Sequence, residues 1–324
     1  MRLVVATALD EPWSVGARLV AYATYAKSLG VEVVFTTLAP DGVAGSFDLD
    51  AFSPTLDAPL FDLSELDPRV TDVVLFSAPR VHHTVQAQYG RRRPRFVHLV
   101  QSGLSASALG EVGYGYRLFH KPMTRVVVSK KVEENIRRLV GETPEMMRVD
   151  IGPNLAPFAR TPTAQDPFDI VINAFDGDFT GRAVDLARQR GFEGRLKVVE
   201  GETDVEKRAA AYRSSAVLLS APRFAEGIAQ PAWEAMAAGC QVIMTNCEAL
   251  GTLPEGTAPS HVVRQGDVEA MARALTALQA TAPQERLEAR RAGAKRMAAL
   301  KTAGEADGAK AVLSKVFGLE GVVA

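Results

Sequence analysis

Cysteine is nearly missing: the 324 residues contain only Cys240 and Cys247. Two thiols in one apolar stretch cannot frame a disulfide scaffold, and they read as buried thiols in a reducing compartment. Long apolar runs are lacking as well, since none approaches the ~20 residues needed to span a bilayer. The first residues, Met1-Arg2-Leu3-Val4-Val5-Ala6, turn polar too soon for a signal peptide, and they read as the first strand of a cytoplasmic protein. Net charge is almost absent, −1 at pH 7. With 47% apolar and 23% charged residues the balance is that of a globular protein, and the length suits two domains of about 150 residues each.

The small net charge hides a segregation. Residues 1–79 carry 4 basic and 11 acidic side chains, a net of −7, whereas residues 80–138 carry 12 basic and 3 acidic, a net of +9. Four of the five histidines fall in that basic block. Clustered charge of one sign is an electrostatic footprint for an anionic partner, and a chance solvated surface is the plainer alternative.

Strand and helix patterns alternate along the chain. Strands are expected at Leu3–Ala8, Val31–Leu38, Val70–Ser77, Phe96–Val100, Arg125–Ser129 and Met147–Ile151, with helices at Val15–Leu29 and Lys131–Val140. A stretch with Pro153, Pro157, Pro162 and Pro167 but no apolar period reads as an interdomain linker. A second series follows, with strands Ile170–Ala174, Leu196–Glu200, Ala216–Leu219 and Gln241–Thr245. Its helices are Arg182–Arg190, Val205–Ser214, one starting at Pro231, and Val268–Gln279, and the Ala-, Arg- and Lys-rich end is helical too. Repeated βα units imply parallel sheets covered by helices. The expected fold is α/β with two Rossmann-like domains facing across a cleft, residues 1–155 and 156–324.

The most informative segment is Arg223-Phe224-Ala225-Glu226-Gly227-Ile228-Ala229-Gln230-Pro231-Ala232-Trp233-Glu234-Ala235-Met236-Ala237. It joins an apolar strand to a helix whose start is set by Pro231, a residue favoured in the first helical turn. Glu226 then lies in the loop and Glu234 one turn into the helix. The helix N-terminus and the amides near Gly227, Ile228 and Ala229 suit a phosphate-bearing ligand at the carboxyl end of a strand.

This segment resembles the retaining glycosyltransferases of family 4 (glycosyl transferases group 1), which have the two-domain GT-B fold and a Glu, seven residues, then Glu pattern. Ala211-Tyr212-Arg213-Ser214-Ser215-Ala216 and Gly266-Asp267-Val268-Glu269-Ala270 are similar to further pieces of that family. So are Val126-Val127-Val128-Ser129 and Ile151-Gly152-Pro153-Asn154 with Pro157-Phe158, the whole covering about residues 96–280. The resemblance implies a hexosyl or pentosyl transferase that takes a nucleotide-diphospho-sugar, a UDP-sugar first of all, and requires no cofactor. Glu226 is implied beside the transferred sugar and Glu234 as acceptor of ribose hydroxyl hydrogen bonds. One carboxylate can accept both donors of a ribose diol. The alternative for Glu234 is a first-turn acid that favours the helix dipole.

The chain departs from the family at Asn173–Arg182, where the family holds the diphosphate with an arginine and a Lys-Gly pair. Gly181 matches the glycine, but Thr180 stands in the lysine position, which leaves Arg182 or Arg223 as the cation. Asp176-Gly177-Asp178 and Asp48-Leu49-Asp50 have a spacing that can hold a divalent metal, yet Asp-Gly is first a turn signal, and no metal is expected. Ala229 stands where the family prefers glycine.

In the first domain the resemblance implies a polar residue at the end of strand Phe96–Val100, facing the donor sugar. Gln101 fits best, with His98 as second candidate, although the two point to opposite faces of a regular strand. Gly16 is expected to let the first loop approach the diphosphate. Arg80, His82, His83, Arg91, Arg92 and Arg93, with Arg117 and Lys121 farther on, form the expected acceptor surface. Basic residues among aromatics suit either nucleic acid with exposed bases or a lipid headgroup layer. A hydroxylated base in DNA is the leading acceptor. A lipid-linked or soluble sugar acceptor, peripheral attachment to a membrane, and a catalytically silent nucleotide-sugar binder are the alternatives.

Overall fold

The computed structural model describes residues 1–8, 13–38, 49, 55–102, 114–141, 146–152, 154–172, 177–199, 204–222, 229–253, 257–299 and 304–319. The chain divides into two compact units: Met1–Gly152 with Ala303–Ala324, and Pro153–Thr302. The first boundary lies three residues before the expected one. The C-terminal helix, expected with the second domain, packs in the first unit.

The first unit is built on a seven-stranded sheet in the order β3-β2-β1-β4-β5-β6-β7. The strands are β1 (Arg2–Ala8), β2 (Glu32–Leu38), β3 (Leu60–Asp62), β4 (Asp72–Phe76), β5 (Arg95–Val100), β6 (Thr124–Val127) and β7 (Met146–Arg148). Every pairing is parallel. Runs such as Arg2–Ala8 and Asp72–Phe76 are buried at every position, the pattern of central strands covered on both faces. The helices are α1 (Trp13–Ser28), α2 (Pro79–Tyr89), α3 (Tyr114–Phe119), α4 (Lys130–Val140) and, after the second unit, α10 (Gly304–Phe317). Alternate residues Val4, Ala6 and Ala8 of β1 and Val74 and Phe76 of β4 share a cluster with Val81, Val85 and Tyr89 of α2, as a period of two on strands requires. Helix α10 is tied down by the buried Glu305, whose carboxylate accepts the Gly152 amide at 2.9 Å and pairs with Arg18 of α1.

The second unit has a five-stranded sheet in the order β12-β11-β10-β8-β9, again all parallel. Its strands are β8 (Ile170–Ile172), β9 (Leu196–Val198), β10 (Val217–Ser220), β11 (Gln241–Thr245) and β12 (His261–Val263). Its helices are α5 (Gly177–Gln189), α6 (Val205–Arg213), α7 (Gln230–Ala237), α8 (Val268–Ala280) and α9 (Pro283–Ala298). Val171, Leu218, Val242 and Met244 point to one face and pack with Ala209 and Tyr212 of α6 and Ala232, Trp233 and Met236 of α7. Ile170, Ile172, Val217, Leu219 and Ile243 point to the other and pack with Phe179 and Val184 of α5 and Met271 and Leu275 of α8. Each fully buried aliphatic side chain contributes about 1.5–3 kcal/mol.

The proline-rich stretch is not a spacer between domains. Leu155 and Phe158 are buried in the second core, and Asp166 pairs with Arg160 and with Arg290 of α9. Pro157 lies in a turn closed by the Leu155 carbonyl, and the side chains between the prolines carry the packing. Both cysteines are free and buried, and burial pushes the Cys240 thiol up to about 12. No helix among the described residues is long and apolar enough to cross a membrane.

Candidate functional site

In open parallel sheets the ligand crevice forms outside the carboxyl ends of the strands, where the strand order reverses. In the second unit that point lies between β8 and β10, which pair directly. The chain leaving β8 enters α5, and the chain leaving β10 enters α7. The topology therefore brings the starts of both helices to one end of the sheet. Arg223, Glu226, Gly227 and Ile228 lie outside the described residues, as do Asp48, Asp50 and Asp176. Among the described residues no cluster of His, Cys, Asp or Glu has the arrangement of a metal site.

Helix α5 starts at Gly177, five residues before the expected start, because Phe179, Ala183 and Val184 already supply a buried face. Gly181 and Arg182 are thus inside the helix rather than in a loop. The amides nearest the start of the helix are those of Gly177 to Thr180. Gly181 also has open space where a Cβ would stand, so packing does not require glycine there. Thr180, in the lysine position, is fully buried, and Arg182 is exposed.

Helix α7 has Pro231 in its first turn and Ala229 as a buried N-cap without a side-chain cap bond. Glu234 is 3% exposed, with its carboxylate turned inward to Arg208 of α6, itself 4% exposed. Arg208 Nε donates to Oε2 at 3.0 Å and Nη2 to Oε1 at 3.2 Å. Gln230 Nε2 donates to Oε1 at 3.0 Å. Burial pushes the Glu234 carboxyl above its ordinary value, and Arg208 and Gln230 pull it back. A carboxylate has about four acceptor positions, so one is left, on Oε2. The expectation that Glu234 takes both hydrogens of a diol thus narrows to a single acceptor position.

Arg208 is the residue that sequence reading missed. Its signal was present: Val205, Arg208, Ala209 and Tyr212 follow helical i, i+3, i+4, i+7 spacing, so a cation sits inside an apolar stripe. The identity of its partner, 26 positions away, is not a local property.

In the first unit the strand order reverses between β1 and β4. Gly16 lies in the first turn of α1, following β1, and is buried in the helix rather than in a loop. Arg80, half-buried, opens α2 after β4. Gln101 directly follows β5 and is 6% exposed, with Nε2 3.5 Å from the Val15 carbonyl of α1. These three share the carboxyl edge of the sheet.

His98 and His82 do not face a site. His98 is fully buried, with Nε2 donating to the Ser77 carbonyl at 2.9 Å and its ring stacked on Phe76 at 4.7 Å. Its register neighbours are Phe76 on β4 and Arg125 on β6, so helices cover it on a central strand. His82 belongs to the buried stripe of α2 and packs on Phe96 at 4.5 Å. Burial, aided by Arg125, holds His98 down to about 3. Burial, aided by Lys121 and other cations, holds His82 down to about 4. His83, on the other side of α2, is exposed.

The remaining basic residues occupy the opposite edge. Arg91, Arg92 and Arg93 are exposed in the turn before β5, and Lys121 precedes β6 and donates to Gln86 at 3.2 Å. Arg117 is exposed near the end of α3. The block thus splits, with Arg80 and His83 entering α2 at the carboxyl edge and the arginine run at the amino edge. A six-residue strand such as β5 separates the edges by about 20 Å.

Residues 176–281 match the family model for Glycosyl transferases group 1. None of the curated proteins matches the chain in sequence. Among solved structures, Alr3699/HepE of Anabaena in complex with UDP and glucose is similar at 11% identity and TM-score 0.70, over 98% of this chain and 100% of that one. The pneumococcal O-GlcNAc transferase GtfA, with UDP and GlcNAc, is similar at 12% identity and TM-score 0.68, over 97% and 99%. Sucrose-phosphate synthase from Thermosynechococcus elongatus is similar at 15% identity and TM-score 0.62, over the full length of both chains. Residues 176–281 therefore form a glycosyltransferase group 1 domain, and the chain is a glycosyltransferase with the GT-B fold.

Proposed function

We propose that this glycosyltransferase is a retaining enzyme of family 4 that moves a sugar from a UDP-sugar to an anionic acceptor. The observation that carries the reading is the switch point of the second sheet, where α5 and α7 both begin and where α7 carries Glu234. The neighbours solved with UDP and a sugar support the donor class.

Breaking the bond from sugar C1 to the diphosphate oxygen leaves negative charge on the diphosphate. The positive ends of the α5 and α7 helix dipoles favour that charge, with Arg182 or Arg223 as the added cation. These groups stabilise the leaving group where its charge develops, the main electrostatic task of the reaction. Glu226 is assigned to the transferred sugar with the amides of Gly227 and Ile228, and Glu234 to one ribose hydroxyl. Gln101 is assigned to the donor sugar and Gly16 to the diphosphate.

The acceptor is read as a polyanion, DNA with a hydroxylated base first. Its supporting observation is the span of the basic residues: a small acceptor cannot touch both Arg80 and the arginine run about 20 Å away. A membrane surface carrying a lipid-linked sugar has the same reach and is the competing source of anionic charge.

The test is incubation with radiolabelled UDP-, GDP- and ADP-sugars. Slow hydrolysis of the UDP-sugar that is lost in Glu226→Ala, with the product anomer of the donor's configuration, is the expected result. Binding without any turnover would remove the catalytic reading of this site. Retention on DNA but not on anionic liposomes selects the nucleic-acid acceptor, the reverse selects the lipid, and retention on neither discards both.

A further inference from the structure

Arg208 reaches Glu234 from a neighbouring helix, and its own placement is fixed on three sides. Its helix is started by Asp204, whose side chain accepts the amides of Glu206 and Lys207. Its guanidinium lies 5.6 Å from the Phe158 ring centre. Two of its nitrogens meet the two oxygens of Glu234.

Such a pair is an expensive way to stabilise a fold. Withdrawing both charges from water costs much of what their attraction returns, and apolar side chains of similar size often serve stability as well. What the fork does supply is direction. A glutamate with three free torsions samples many carboxylate orientations, whereas one gripped by a planar fork and a third donor has one. Its one unfilled acceptor position, on Oε2, is then held in a single orientation in the first turns of α7.

We propose that Arg208 is a positioning residue for donor recognition, holding the Glu234 carboxylate so that its remaining acceptor position meets a hydroxyl of the nucleotide ribose. Arg208 touches no substrate itself, and the inference rests on the reading of Glu234 as the ribose acceptor. It distinguishes this site from one in which a solvent-facing glutamate finds the ribose on its own.

The experiment compares binding of UDP and 2′,3′-dideoxy-UDP to the full chain by calorimetry. A hydrogen bond to a charged group corresponds to a preference of about tenfold or more, and the wild type is expected to show it for UDP. Arg208→Gln is expected to bind UDP about as weakly as the dideoxy compound while dideoxy binding stays unchanged. Arg208→Lys keeps the charge but not the fork, and is expected to recover only part of the preference. Under turnover the same variants raise KM for the UDP-sugar with kcat little changed. Loss of folded protein alone cannot move the ratio of two affinities, and if Arg208→Gln does not fold, Arg208→Lys carries the comparison.

The outcomes separate. A folded Arg208→Gln or Arg208→Lys protein with the full wild-type preference overturns the inference, while Glu234→Gln losing that preference leaves the ribose reading standing. Glu234→Gln with the full preference, or a wild type that does not bind UDP, overturns the ribose reading and the inference with it.

Discussion

Arg125 in the first unit and Arg208 in the second are both withdrawn from water, yet they are held in opposite ways. Arg125 donates to the carbonyls of Leu118 and Lys121 at 2.7 Å and of Met123 at 3.3 Å, and no carboxylate is among its described partners. It gathers carbonyls at and just beyond the end of α3, lies over Phe119, and helps to hold His98 and His82 down. Burial lowers it to about 10, which still leaves it charged at neutral pH. Arg208 instead faces a full negative charge. The first arrangement uses a cation to close backbone valences within one core. The second joins two helices through a carboxylate in the first turns of α7.

Acid separates the two regions most strongly. The folded values of His82 and His98 lie below their unfolded value of 6.5, so the unfolded chain binds more protons between those limits. Their contribution to stability is complete above pH 6.5 and is lost as pH falls toward 4. Each histidine accounts for about 1.4 kcal/mol per pH unit at full slope. Hydrogen exchange between pH 7 and pH 4.5 is expected to show amides of β4, β5 and α2 opening before those of β10 and β11. The opposite order would remove the histidine core as the acid-sensitive region.

Substitution of the two arginines gives the next effects. Arg208→Met leaves an unpaired buried carboxylate and is expected to lower unfolding free energy by about 3–5 kcal/mol. Adding Glu234→Leu is expected to restore most of that loss while abolishing ribose discrimination, as urea midpoints and nucleotide binding will show. Arg125→Met strands carbonyls but no charge, and an unfilled buried acceptor costs about 1–3 kcal/mol. A larger loss at Arg125 than at Arg208 would reverse the contrast. The smallest effects concern the helix starts. Ser129 caps α4 by accepting the Val132 amide, and Asp204 caps α6. Replacing either by alanine costs about 1 kcal/mol, but only Asp204→Ala, by loosening the helix that carries Arg208, is expected also to weaken UDP binding.

Much of the fold was legible because burial on both sheet faces leaves plain aliphatic runs. The strand Gln241–Thr245 has the expected bounds, and α1, α4, α6 and α8 differ from expectation by at most two residues at either end. Short edge strands β3 and β12 and helices α2 and α3 were not anticipated. A three-residue strand has no period to read, and α2 mixes His82 into its buried stripe. The start of α7 was legible through the position of Pro231. The direction of the Glu234 side chain was not, since it depends on an arginine from another helix. The basic block misled in a similar way: charge along the sequence gave its size, but the edge of the sheet that each residue occupies follows from topology.

The return of α10 to the first unit, fastened by Glu305 to the Gly152 amide and to Arg18, makes the second unit an insert within the first. Residues 153–302 form one unbroken length of chain, whereas the first unit is discontinuous and is complete only after the last helix has been synthesised. A ribosome making this protein completes the sequence of the second unit while the first still waits for its closing helix. Removing the final twenty-odd residues therefore takes away the helix packed on α1 and leaves the residues of the second unit whole.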